Sequence, residues 1–143
     1  MTDTVRPDSN VSGNIAILGV DGKYMKVIAN DRVEFGNQKY DDTAKFEVIK
    51  FDDGKISLKG SNGKVLRMYY TSDVTCEGNG GGVKFGIVYL ADDMINFTVS
   101  GYQGQGNRTK YLSSQAGGVS YNGSLAVKEF EDVTCRFKIQ NLD

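Results

Sequence analysis

Tyr102, Gln103, Asn107 and Arg108 crowd one glycine-rich stretch that runs from Gly101 to Arg108. A sugar site needs an aromatic face for the apolar C–H patch of the ring and a few carboxylates or amides for its hydroxyls. The stretch has that composition. A second group, Tyr69, Tyr70 and Asp73, sets two rings beside a carboxylate, and Tyr40 stands next to Asp41 in the same way. Exposed tyrosines are common on β domains, so it is their company of amides and acids that nominates a carbohydrate contact.

Other chemistry is thin. The chain has no histidine, which removes the commonest general base and metal ligand, and with it any Ser-His-Asp or Cys-His site as usually built. Cys76 falls in a slot shared with Phe35 and Tyr121, and Cys135 in one shared with Ala44 and Val83. Both are expected as buried thiols acting as small hydrophobes. The acidic pairs Asp41-Asp42, Asp52-Asp53 and Asp92-Asp93 sit where turns are expected. They lack the oxygen-rich loop of a calcium site and read as solvated turn residues. Gly78 to Gly82 has neither the Lys-Ser/Thr nor the helix of a phosphate cradle, and reads as a loop. No enzymatic activity, cofactor or metal is expected.

Three copies of one pattern must position these residues. Gly22-Lys23-Tyr24-Met25 returns as Gly63-Lys64-Val65-Leu66 and, loosened, as Thr109-Lys110-Tyr111-Leu112. Ahead of each stands an alternating triplet: Ile15-Ala16-Ile17, Ile56-Ser57-Leu58, Ile95-Asn96-Phe97. Behind each comes Val33-Glu34-Phe35, Val74-Thr75-Cys76 or Val119-Ser120-Tyr121. The copies close on Phe46-Glu47-Val48, Phe85-Gly86-Ile87 and Phe137-Lys138-Ile139. Period-two alternation predicts four short strands per copy, and no stretch has a helical period. Asp21-Gly22, Asp53-Gly54 and Asn62-Gly63 predict tight turns. The third copy replaces its turn with the loop 101–108, and long loops on a rigid repeat are where function collects. Parity sends Met25, Val27, Leu66, Met68 and Leu112 inward and Lys26, Arg67 and Ser113 outward.

The copies span about 14–51, 55–90 and 94–141, as one domain over 14–143. A flexible tail over 1–13, which carries the only proline, Pro7, precedes them. At 143 residues such a domain buries roughly two-thirds of its unfolded surface, enough for a core without disulfides or metal. The formal net charge of -1 gives no footprint for nucleic acid. No apolar run approaches transmembrane length and no secretory signal is seen, so no membrane insertion and a cytoplasmic setting are expected.

Twelve such strands suit a closed barrel, a sandwich or a small propeller. The order of alternating strand, Gly22-Lys23-Tyr24-Met25, short strand, then Ala44-Lys45-Phe46-Glu47-Val48 resembles the repeat of fascin-like and amaranthin-type agglutinin domains. The likeness is strongest over Asn14 to Lys50 and covers 14–141 in framework. It implies an all-β fold, the β-trefoil, with three pseudo-repeats of four short strands. It also implies a lectin for galactose- or N-acetylgalactosamine-type glycans or glycoproteins, gaining avidity through a homo-oligomer or repeated sites. No binding residue carries over one by one, because the two-domain agglutinins hold the sugar at a domain and subunit interface. Two other readings suit the same fold: a fascin-like module with actin as its partner, and a β-trefoil inhibitor of hydrolases. Tryptophan is absent, so the Gln-x-Trp signature of ricin-type trefoil lectins is missing.

Overall fold

The turns are set by local chemistry. In Asp21-Gly22, Asp53-Gly54 and Asn62-Gly63 the first side chain accepts the backbone N–H two residues on, from Lys23, Lys55 and Lys64, at 3.2, 3.1 and 3.1 Å. The glycines then take φ values of 81, 85 and 80°, a region where a Cβ would clash with the backbone. Asp92-Asp93 makes the corresponding turn with no glycine, at φ 62 and 60°.

The computed structural model describes residues 11–29, 32–36, 39–68, 74–75, 84–100, 109–114, 126–128 and 131–142. Twelve strands lie among them, four to a copy. Copy one holds β1 (Asn14–Leu18), β2 (Met25–Ile28), β3 (Arg32–Phe35) and β4 (Phe46–Lys50). Copy two holds β5 (Ile56–Lys59), β6 (Arg67–Met68), β7 (Val74–Thr75) and β8 (Gly86–Tyr89). Copy three holds β9 (Met94–Ser100), β10 (Thr109–Ser113), β11 (Ala126–Lys128) and β12 (Phe137–Asn141).

The first and last strands of the copies close a six-stranded barrel. β1 lies between β4 and β12, β4 pairs with β5, and β9 lies between β8 and β12. The last gap is shut where Ile56 and Phe85 exchange backbone hydrogen bonds of 3.0 and 2.7 Å. The inner strands form three hairpins, β2–β3, β6–β7 and β10–β11, the first two joined where Arg32 faces Thr75. This is the β-trefoil. One bond repeats at each handover between copies: the N–H of Phe51, Leu90 and Leu142 donates to the carbonyl of Lys55, Met94 and Asn14, at 2.9, 2.8 and 2.9 Å. The third of these ties the end of copy three to the start of copy one.

Barrel closure explains the core. Phe46, Phe85 and Phe137, one per copy, are fully buried, together with Ile15, Ile17, Leu58 and Phe97. Phe35 stacks on Phe137 with ring centroids 5.7 Å apart, and Phe97 tilts against the same ring at 5.8 Å. The expected inward residues Met25, Val27, Leu66 and Leu112 are buried, while the side chain of Met68 lies outside the described residues.

Four expectations need correction. Lys26 and Ser113, expected outward, are buried, and Arg67 is half-buried. Short 3-10 turns, Asp42–Ala44 and Val133–Cys135, pack over the outer face of β2 and β10. They supply Asp41 to the Lys26 ammonium at 2.9 Å and Thr134 to the Ser113 hydroxyl at 2.7 Å. The same cover buries Ala16, which packs with Ala44, and Asn96, whose amide donates to the Cys135 carbonyl at 2.9 Å. Finally, Val11, placed by its sequence in the tail, belongs to the core, and the Gly13 carbonyl accepts the Val48 N–H at 2.8 Å. Cys135 fits its expected slot: like Ala44 it ends a 3-10 turn, is fully buried, and keeps a thiol rather than a disulfide. Cys76 lies outside the described residues.

Candidate functional site

All seven sequence-nominated residues, Tyr69, Tyr70, Asp73, Tyr102, Gln103, Asn107 and Arg108, lie outside the described residues. The strands that flank them are described. Met68 faces Val74 across β6 and β7, and Ser100 faces Thr109 across β9 and β10. The two groups therefore belong to different connections, 69–73 within a cap hairpin and 101–108 between a barrel strand and its hairpin. Tyr40, the fourth ring singled out in the sequence, is half-buried and meets Tyr24 edge-on at 5.7 Å. Burial first, then the charges of Asp42 and Asp41, push its phenol pKa up.

The described part of the molecule offers a different seat. An open groove of about 640 Å³ runs along the seam between copies one and two. Its polar wall is Asn14, Asp42, Lys45, Glu47, Lys59 and Ser61, and Val48 with Gly13 and Gly60 forms the rest. Strand register builds the centre of this wall. Glu47 on β4 lies opposite Asn14 on β1 and opposite Lys59 on β5. An amide, a carboxylate and an ammonium thus stand in one row across three strands, with Cβ atoms roughly 5 Å apart in such pairs. Alternation explains their outward aim, since Phe46, Ile15 and Leu58 beside them fill the core.

The rim is fixed by a cap. Asp41 precedes the 3-10 turn, and its Oδ1 accepts the Thr43 N–H at 2.9 Å and the Thr43 hydroxyl. Its Oδ2 accepts the buried Lys26 ammonium. The Thr43 hydroxyl, then Lys26, hold the Asp41 carboxyl down to a pKa of about 2. That turn presents Asp42 and Lys45 to the groove. Lysine and carboxylate alternate along the wall, an arrangement that answers the hydroxyls of a neutral polar ligand better than it answers a net charge.

The other seams show that the row is not a by-product of the fold. At the seam between copies three and one the same register reads Met94, Lys138, Leu18. Val20 and Val133, at 43% and 49% exposed, stand where Ser61 and Asp42 stand in the first seam. Between copies two and three, Gly86 faces Thr98, and a Cβ on that glycine would lie 2.7 Å from the threonine Oγ1. Sequence reasoning missed the row of Asn14, Glu47 and Lys59. The available signal was the alignment of the copies, where Lys59 and Ser61 replace Leu18 and Val20.

The acidic pairs behave as turn residues. Asp53 accepts the Lys55 N–H and pairs with Lys84 at 3.0 Å, which pulls its pKa down. Among the described residues no group of His, Cys, Asp and Glu could hold a metal ion.

No protein-family model matches the chain, and no curated protein matches it in sequence. Solved structures do match in shape. A designed three-fold symmetric protein, ThreeFoil, is 18% identical, with a TM-score of 0.69 over 92% of this chain and all of its own. SeviL, solved bound to an asialo-GM1 saccharide, is 12% identical, with a TM-score of 0.72 over 92% of this chain and 99% of its own. A mosquitocidal holotoxin is 14% identical, with a TM-score of 0.75 over 99% of this chain but 18% of the toxin. At these identities the likeness is one of fold.

Proposed function

We propose that this β-trefoil is a non-enzymatic carbohydrate-binding protein for neutral glycans of the galactose or N-acetylgalactosamine type. The observation that carries the reading is the row of Asn14, Glu47 and Lys59 in the groove between copies one and two. Amide, carboxylate and ammonium together offer donors and acceptors at fixed spacing, which is what vicinal hydroxyls require. The loop 101–108, with Tyr102, Gln103, Asn107 and Arg108, is a separate candidate contact nominated by its composition, as are Tyr69, Tyr70 and Asp73. That SeviL was solved with a saccharide on the same fold supports the class of ligand.

The acid–base inventory favours binding without turnover. The chain has no histidine, and the described carboxylates with a shifted pKa, Asp41, Asp53 and Glu131, are all pulled down. A general acid needs the opposite shift. The buried Cys135 thiol suits the cytoplasmic setting in which we place the protein.

Calorimetric titration with methyl galactoside and methyl N-acetylgalactosaminide tests the reading. Glu47→Ala and Tyr102→Ala should each weaken binding by about tenfold or more, as expected for a lost charged hydrogen bond or stacking ring. Melting temperatures should stay close to the parent's. Unchanged binding in Glu47→Ala removes the groove from the site, and unchanged binding in Tyr102→Ala removes the loop.

A further inference from the structure

A second hollow opens where copy one hands over to copy two. Its volume is about 240 Å³, below the roughly 300–1,000 Å³ of sites for drug-sized ligands, so it suits a single ring. Ile56 and Ile87 line it together with Phe51 and Tyr89, which are 37% and 36% exposed. The charged residues described in its lining are both lysines, Lys50 and Lys55.

Phe51 is a departure from the repeat. The two other handover turns carry Leu90 and Leu142 at its position, as the shared backbone bond shows. Its ring is also dressed with charge: the Lys84 ammonium lies 4.6 Å from the ring centroid, held there by Asp53 at 3.0 Å. Lys84 thus lies over Phe51, while Lys50 and Lys55 share the hollow's lining with the two partly exposed rings. Asp53 pairs with Lys84 and also feels the charge of Lys55, but neither Asp53 nor Asp52 lines the hollow. A ligand with an apolar ring face and one negative group meets both features, since rings take C–H surface and ammonium groups take a carboxylate.

We propose that this hollow is a subsite for a carboxylated sugar residue, of the sialic or uronic acid class, with its ring on Phe51 and Tyr89 and its carboxylate between Lys50 and Lys55. The proposal rests on the carbohydrate-binding reading and extends it to acidic termini, which the charge-balanced groove does not select.

The test is a calorimetric and NMR titration of the full chain with the methyl glycosides of N-acetylneuraminic and glucuronic acids. Methyl galactoside serves as the neutral arm and benzoate as the arm for a carboxylate on a ring that is not a sugar. The carboxylated glycosides should bind at least about tenfold more tightly than the neutral one, the scale of a charge-assisted hydrogen bond, and more weakly at high salt. Lys55→Gln should cancel that preference. Phe51→Leu, which installs the residue type of the sister turns and so spares the fold, should weaken the acid sugars alone. Equal binding of acidic and neutral glycosides overturns the proposal, as does a preference that survives both variants. Benzoate binding as tightly as the sugars overturns the sugar assignment. Neutral binding that Glu47→Ala removes, with no acid preference, refutes this subsite and leaves the groove standing. A folded protein that binds no sugar of either kind refutes both.

Discussion

Asp41 and Asp132 do one job in two places. Each accepts the N–H of a threonine two residues on, Thr43 or Thr134, at 2.9 Å, and so starts a 3-10 turn that ends on a buried Ala44 or Cys135. The sequence Asp-x-Thr-Ala/Cys-Lys/Arg-Phe is the trace of this device, present in copies one and three and absent from copy two, which has Gly80-Gly81-Gly82-Val83-Lys84-Phe85. It explains why Lys26 and Ser113 are buried. Parity in the sequence separates two faces of a strand but says nothing of what covers the outer one. The cap also has a pH signature. Hydrogen bonds from Thr43 and Lys26 lower the Asp41 carboxyl from an ordinary 3.8 to about 2. A depressed folded pKa contributes stability above the unfolded value, and that contribution is lost as pH falls through the folded one. Asp41→Asn should therefore melt below the parent at pH 6, and the gap should narrow as the pH drops from about 4 towards 2. Melting curves followed by circular dichroism across that range check it; a gap that stays constant would detach Asp41 from the effect.

At the level of elements, the strands and turns were legible and the 3-10 turns were not. Asx-Gly turns depend on the chemistry of adjacent residues, so Asp21-Gly22, Asp53-Gly54 and Asn62-Gly63 announce themselves. A turn of three residues has no period to read, and its cap involves a lysine fifteen positions away in Lys26 and Asp41. The inward face of the hairpins was legible because it alternates against a closed core. Leu66 is the sharpest case: it is fully buried, and its N–H donates to the Leu58 carbonyl at 2.8 Å. Truncating such a residue removes transfer energy and leaves a cavity, so Leu66→Ala should lower the unfolding free energy by about 2–5 kcal/mol. Urea denaturation measures it, and a loss near zero would mean that Leu66 does not face the core.

For the whole molecule, repetition made the fold readable. Three copies of one pattern demand one environment three times, and the barrel supplies it with three equivalent phenylalanines and one handover bond per copy. The candidate site was less readable for the same reason. Its residues come from β1, β4 and β5, far apart in sequence, and meet only when strand register is known. Each seam then carries different side chains on the same frame: Asn14, Glu47 and Lys59 at one, Met94, Lys138 and Leu18 at another. A common scaffold with divergent seams is how one fold comes to hold different ligands. The loop groups at 69–73 and 101–108 are nominated by composition alone, and their part in the site is decided by variants. The central claim, that this trefoil binds glycans, is tested most directly by a glycan array probed with the labelled full chain. The account predicts retention of a coherent set ending in galactose or N-acetylgalactosamine, and a folded, labelled protein that leaves the array blank would contradict it.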